Sequence, residues 1–122
     1  MSISHFNYSS ALAKIEASYS QNGIEVAWIK NTSIEESGSV LRIRHIGVTT
    51  DLLGQSIARK FLISLIAEKE CWLVRTFIFE AVDLEKKYWE KFLTKYKAIN
   101  IGIDSMYPYD SYKVTVENII NA

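Results

Sequence analysis

The hydrophobic positions of this chain change period several times from one end to the other, and each change predicts an element. Over residues 9–20, Leu12, Ile15 and Tyr19 fall at helical spacing behind Ser9 and Ser10, either of which can cap a first turn, so a short helix is expected. Asn22-Gly23 breaks it. Ile24, Val26 and Trp28 then alternate with Glu25, Ala27 and Ile29 as in a strand, residues 31–39 are polar enough for a loop, and a second strand is expected over 40–48. The two strands are expected to pair as a hairpin.

Within 40–48, Arg42 and Arg44 share one face, opposite Leu41, Ile43 and His45. The arginines are expected on a solvated or loop-covered face and His45 as a satisfied core histidine. Ile46 and Val48, following Arg44 on its own face, suggest deeper burial toward the strand's end.

Next, Ile57, Ala58, Phe61, Leu62, Leu65 and Ile66 form a broad apolar stripe from which Arg59, Lys60, Ser64 and Lys69 are absent, predicting a helix over 55–69. The run "CWLVRTFIFEA", residues 71–81, is almost continuously apolar and reads as an interior strand. Strand, helix and strand in this order make a βαβ unit with parallel strands and a right-handed crossover. A helix over 83–96 is expected next, with Asp83 as cap and Leu84, Tyr88, Phe92, Leu93 and Tyr96 along one side. Strands over 98–103 and 111–116 flank "DSMYPYD", where Pro108 marks a turn. The order predicts an α/β (α+β) fold.

Composition narrows the classes of function. A chain of 122 residues, 48% hydrophobic, suits one domain over 1–122 with a real core. Fourteen basic and fourteen acidic side chains leave no global field to attract nucleic acid or a membrane surface, so neither partner is expected. With neither a secretory signal nor a run long enough to span a bilayer, the expected compartment is cytoplasmic. Cys71 is the single cysteine and reads as a small buried hydrophobe. His5 and His45 have no Cys or Glu at ligand spacing beside them, so no metal site is expected.

Two segments carry a specific signal. "IGVTTDLLGQSIARKFL", residues 46–62, and "YWEKF", residues 88–92, resemble the cofactor motif and the following helix of the GCN5-related N-acetyltransferase (GNAT) family. The resemblance covers about residues 23 to 116 and implies a mixed, mostly antiparallel sheet with a central βαβ unit and helices on both faces. It also implies acetyl-CoA as cofactor, held by Val48, Leu53, Gly54, Gln55, Ser56, Ile57, Ala58 and Arg59. The physical basis is that unpaired amides at a helix start bind pyrophosphate without a cationic side chain. Leu53 stands where the family has Arg or Gln, and Ser56 where it has glycine. A positive φ at that serine would cost roughly 1 kcal/mol or more.

Acyl transfer to an amine needs a neutral nucleophile, a donor for the thioester oxygen and often an acid for the leaving thiolate. The resemblance places the oxygen donor at Val48 or its neighbours. The family's tyrosine acid is replaced in register by Trp89, which leaves Tyr88 as candidate acid, with Glu80 and either His45 or Glu25 as candidate bases. Only one expected helix precedes Gly23, so the acceptor side is expected to be open. That suits a large substrate such as a protein or a peptide terminus, or a homodimer that covers Trp28, Trp72, Tyr107, Tyr109 and Tyr112; the resemblance implies a small-molecule or peptide amine as acceptor. Two readings follow: an acyl-CoA-dependent N-acyltransferase, or a GNAT-like module without chemistry that still holds coenzyme A.

Overall fold

In a computed structural model, which describes residues 2–49, 56–83 and 87–121, the region expected to be a short helix forms a β-hairpin instead. Strand β1 (Ser2–Ser9) pairs antiparallel with β2 (Lys14–Gln21). Ile15, Ala17 and Tyr19 are buried on one face, whereas Leu12 is 67% exposed in the turn. The misreading has a simple origin. A spacing of four fits a helix and also two steps of a strand, so Ile15 and Tyr19 satisfy both periods, and the burial of Ala17 between them decides for the strand.

Strand β3 (Ile24–Glu35) runs through most of the expected loop, with Thr32 fully buried, and leaves only a 3-10 turn at Glu36–Gly38. The expected strand over 40–48 is two strands, β4 (Val40–Ile43) and β5 (His45–Val48), separated by a bend at Arg44. Both pair antiparallel with β3, as the hairpin expectation requires. Helix α1 (Ile57–Ile66) buries Ile57, Ala58, Phe61, Leu62 and Leu65. Strand β6 (Thr76–Phe79) is shorter than expected, because Cys71 ends a 3-10 turn and Trp72 is exposed. Helix α2 (Lys87–Lys95) and strands β7 (Ile99–Gly102) and β8 (Ser111–Thr115) follow. The expected cap Asp83 lies ahead of the described part of α2, and Leu84 lies outside the described residues. A closing helix α3 (Val116–Ile120), capped by Thr115 Oγ1 accepting from Asn118 N–H at 3.2 Å, was not expected.

The sheet is mixed and mostly antiparallel, in the order β1-β2-β3-β4-β6-β8-β7 with β5 pairing β3. The central βαβ unit is β4–α1–β6, whose strands are parallel with Val40 opposite Thr76 and Ile43 opposite Phe79. The described helices form one layer. Tyr19 on β2 meets Phe61 on α1, Arg59 of α1 donates to carbonyls of Ile119 and Ile120, and Asn118 of α3 donates to the Tyr96 carbonyl just past α2. A single hydrophobic cluster runs from Ile15 through Phe61 and Phe77 to Ile119. The opposite sheet face, carrying Glu16, Ser18 and Trp28, has no helix over it among the described residues.

What shapes the middle of the sheet is a bulge. The register between β2 and β3 shifts between Ile15 and Ala17, and Asn31, on the bulged strand, has φ +50. Asn31 lies between the pairs Lys30–His45 and Ser33–Arg42, so it faces the bend at Arg44. Arg44 Nη1 donates to the Asn31 carbonyl at 3.3 Å and to Ser33 Oγ, which fixes bend and bulge together. Bulges of this kind bend a strand and increase its twist.

Asn31→Val, which sets a β-branched side chain in the left-handed region, is expected to destabilise the fold by roughly 1–2 kcal/mol in urea unfolding, while Asn31→Gly stays within a few tenths of wild type. Cys71 is 1% exposed, and burial pushes its thiol up to about 12, with Glu70 and Glu68 adding to the effect. An unfolded thiol ionises near 9.0, so this contribution to stability is intact below that pH and is lost progressively as pH rises toward 12. At pH of about 8 iodoacetamide should leave the native protein unlabelled and modify Cys71 once denaturant is added.

Candidate functional site

Beyond Arg44, β4 and β5 no longer continue one line, and β6 loses its neighbour. The last bond between them is Glu80 N–H to the Ile43 carbonyl at 3.0 Å. Past it, β5 stays with β3 alone and the two edges part. Thr49 N–H donates to the Val26 carbonyl at 2.9 Å. Since amides along a strand alternate in direction, Gly47 and His45 also point toward β3, while Ile46 and Val48 point into the gap. No strand among the described residues pairs with that edge.

The gap is a cleft of about 420 Å³, lined among others by Trp28, His45, Gly47, Glu80, Asp83 and Trp89. Trp28 forms a wall by lying directly on Gly47: a Cβ there would come within 2.2 Å of the indole. The absence of a side chain at position 47 therefore sets how closely the ring approaches β5.

The charged groups of the cleft are tied to one another. Arg42 bonds Glu35 at 3.0 Å, Glu80 at 3.1 Å and Asp104 at 2.8 Å. Burial works against its charge, but the hydrogen bonds it donates to Glu35, Asp104 and Glu80 outweigh that and hold the guanidinium above its usual value. Arg44 adds contacts to Glu35 at 3.7 Å and Glu80 at 3.5 Å. Both cationic contacts of Glu80 run through Oε2. The arginines thus lie on a face covered by a charge network that reaches the Asp104 segment.

His45 departs from expectation. It is exposed at the cleft mouth, because the bend at Arg44 exchanges the faces of the strand: Leu41 and Ile43 point into the core before it, Ile46 and Val48 pack against the core after it. His45 and Glu80 share the cleft lining. Tyr88 does not. It lines a separate hollow of about 180 Å³ with Ser56, Arg59, Lys91, Phe92, Lys95 and Tyr96 at the start of α1. Burial raises its phenol above the usual value, and a hydrogen bond with the Ala58 backbone opposes that shift. The role of acid expected for Tyr88 is therefore corrected: α2 presents its next residue, Trp89, to the cleft, packed on Phe79 at 6.1 Å, and turns Tyr88 toward α1.

The expected cofactor residues are distributed as follows. The Val48 amide points away from β3 into the gap, and Ile57 and Ala58 are buried in the first turn of α1. Ser56 precedes them at φ +56 and ψ 30 without a side-chain cap, the conformation in which a serine costs roughly 1 kcal/mol. Arg59 is held by the carbonyls of Ile119 and Ile120 at 2.8 and 3.0 Å rather than reaching toward the start of the helix. Leu53, Gly54 and Gln55 lie outside the described residues. Besides Arg59, the cations lining the hollow at this helix start are Lys91 and Lys95, which were not sequence candidates. Their signal was present: Lys87, Lys91 and Lys95 recur every four residues and make one helical stripe.

No family model matches the sequence, and no curated protein does so. Solved structures do. The chain is similar to Ard1 from Thermoplasma volcanium, with a TM-score of 0.56 at 12% identity over 82% of this chain and 68% of that one. It is also similar to the diaminobutyrate acetyltransferase EctA from Paenibacillus lautus, solved with its substrate L-2,4-diaminobutyric acid and coenzyme A. There the TM-score is 0.54 at 16% identity, over 84% of this chain and 69% of that one. Together with the strand order and the parted β5 and β6, these likenesses show that the chain has the fold of the GCN5-related N-acetyltransferases.

Proposed function

We propose that the protein transfers an acyl group, acetyl in the simplest case, from coenzyme A to an amine. The observation that carries this reading is the outward-facing edge of β5, whose Ile46 and Val48 amides point away from β3 into the gap, where Ile46 lines a cleft of about 420 Å³. Bound acetyl-CoA supplies the acyl group as a thioester, whose C–S bond is exchanged for a C–N bond to the acceptor. The residues present fit such a cofactor at two places. A strand edge with free amides suits an amide-bearing arm, and Lys91 and Lys95 beside Ser56 suit its phosphates. These lysines supply locally the positive charge that a chain with no net charge does not supply globally.

Within the cleft the Val48 amide is the donor for an acyl oxygen as negative charge develops on it. His45, exposed at the mouth, takes the proton that the acceptor amine sheds. Glu80, clasped by Arg42 and Arg44, acts through its charge and position rather than as the base. A second reading, a coenzyme-binding module without turnover, draws on Trp89, whose indole N–H is too weak an acid to protonate a thiolate, and on the Ala58 backbone already bonded to Tyr88.

Millimolar acetyl-CoA should raise the melting temperature, and joint Lys91→Glu and Lys95→Glu should weaken that binding by about tenfold. Val48→Pro removes one amide that serves no ladder, a change an edge strand tolerates. It should leave the melting temperature within a few degrees and lower thiol release by about a hundredfold or more. Binding without thiol release from any amine in a broad panel would favour the module, and no binding at all would end both readings. Ser56→Gly, which relieves the left-handed serine, should raise stability by up to about 1 kcal/mol in the same unfolding assay.

A further inference from the structure

The sheet ends on β1 at one side and on β7 at the other, and the two strands are built differently. A terminal strand offers its unpaired amides and carbonyls to any extended chain, and natural sheets guard such an edge with short length, charge, proline or a bulge. Strand β7 is guarded. It has four residues, its pairing shifts register between Asn100 and Gly102, and its Gly102 N–H is already taken by Asn100 Oδ1 at 2.7 Å. Strand β1 has eight residues, SISHFNYS, with no Lys, Arg, Asp, Glu, Pro or Gly among them. No strand among the described residues pairs with its outer edge.

The pattern along this edge selects its occupant. Phe6 and Tyr8 lie opposite the buried Ala17 and Ile15, on the face that carries the helices, and Tyr8 is still 37% exposed there. His5, Asn7 and Ser9 lie opposite Ser18, Glu16 and Lys14 on the other face. The register with β2 shifts between Ile3 and His5, so the regular part of the edge is residues 5–9. Two such segments, paired antiparallel about a two-fold axis, use all five residues when Asn7 faces its own copy. Phe6 then stands opposite Tyr8 of the second copy, twice by symmetry, and His5 opposite Ser9, so apolar side chains meet on the helix face and polar ones on the other. Charge points the same way. An edge without charged side chains has nothing with which to select a charged peptide, and a chain with fourteen basic and fourteen acidic groups does not repel its own copy.

We propose that β1 is the interface of a homodimer, in which two copies join edge to edge across a two-fold axis at Asn7 into one continuous sheet. Such a contact is self-complementary, and because each copy consumes the same edge of the other, pairing stops at two. The axis stands perpendicular to the sheet, so both helix layers fall on one side of it. The contact does not involve the β5 edge, and the proposal is independent of the chemistry of the cleft.

Sedimentation equilibrium over a concentration series tests it. The wild type should dimerise reversibly. Asn7→Lys sets two ammonium groups against each other across the axis and should weaken the dimer roughly tenfold or more, and Asn7→Asp should do the same. An equimolar mixture of the two variants should regain the dimer, since each lysine then faces an aspartate. Ile99→Lys, at a 60% exposed position of β7, should leave association unchanged. Asn7 is exposed, and circular dichroism like that of the wild type verifies that the variants fold. A wild type that stays monomeric leaves the edge to some other extended chain and overturns the proposal. So does a dimer that Asn7→Lys leaves as tight as before, one that mixing the two variants fails to restore, or one that Ile99→Lys disrupts.

Discussion

The functional architecture depends on one backbone constraint, the bulge in β3 that places Asn31 at φ +50 against the bend at Arg44. A strand that bends must leave one of its neighbours. Here β4 remains parallel with β6, β5 follows β3, and the edges of β5 and β6 diverge past the Ile43–Glu80 bond. Unpaired strand amides are costly when buried and useful when a ligand can reach them. The sheet is thus interrupted where the outward amides of Ile46 and Val48 stand beside a cleft with titratable groups.

Two side-chain arrangements hold that interruption open. Arg42 joins Glu35 of β3, Glu80 at the end of β6 and Asp104 beyond β7, so it fixes the strands on both sides of the cleft and the segment over them. Because Arg42 and Glu80 are largely buried, neither can lose the other without leaving an uncompensated charge. Trp28 on Gly47 does the same for the cleft's outer wall by shape alone. At the helix start the molecule takes another course: Tyr88 meets the Ala58 backbone, and Arg59 turns away to α3. Two groups expected to face a cofactor instead tie the helices together, and Lys91 and Lys95 are the cations left beside the hollow.

How far the sequence foretold this depends on whether one period dominated each segment. The stripe of Ile57, Phe61, Leu62 and Leu65 has only a helical solution, and α1 is where it was expected. Ile15 and Tyr19 fit two periods, and the choice between them is made by packing against Phe61, which local sequence does not contain. The split of 40–48 into two strands depends on Asn31 across the ladder, a contact invisible along the chain. The same bend reversed the expectation for His45, since it exchanges the faces that strict alternation would assign. At the site, the fold brings the two candidate bases Glu80 and His45 to one cleft, a proximity that no local pattern shows, while the gapless register already placed Trp89, and not Tyr88, at the tyrosine position. The lysine stripe of α2 is legible in its spacing of four, but a charged helical stripe does not by itself distinguish a binding surface from a solvated one.

Amide hydrogen exchange resolved by residue tests the central claim most directly. In the free protein His45 and Gly47 should be protected by their bonds to β3, while Ile46 and Val48, facing the cleft, exchange rapidly. Saturating acetyl-CoA should slow Val48 without altering Gly47. Equal protection of all four amides in the free protein, or an unchanged Val48 in the presence of cofactor that binds, would contradict an open strand edge that receives an acyl donor.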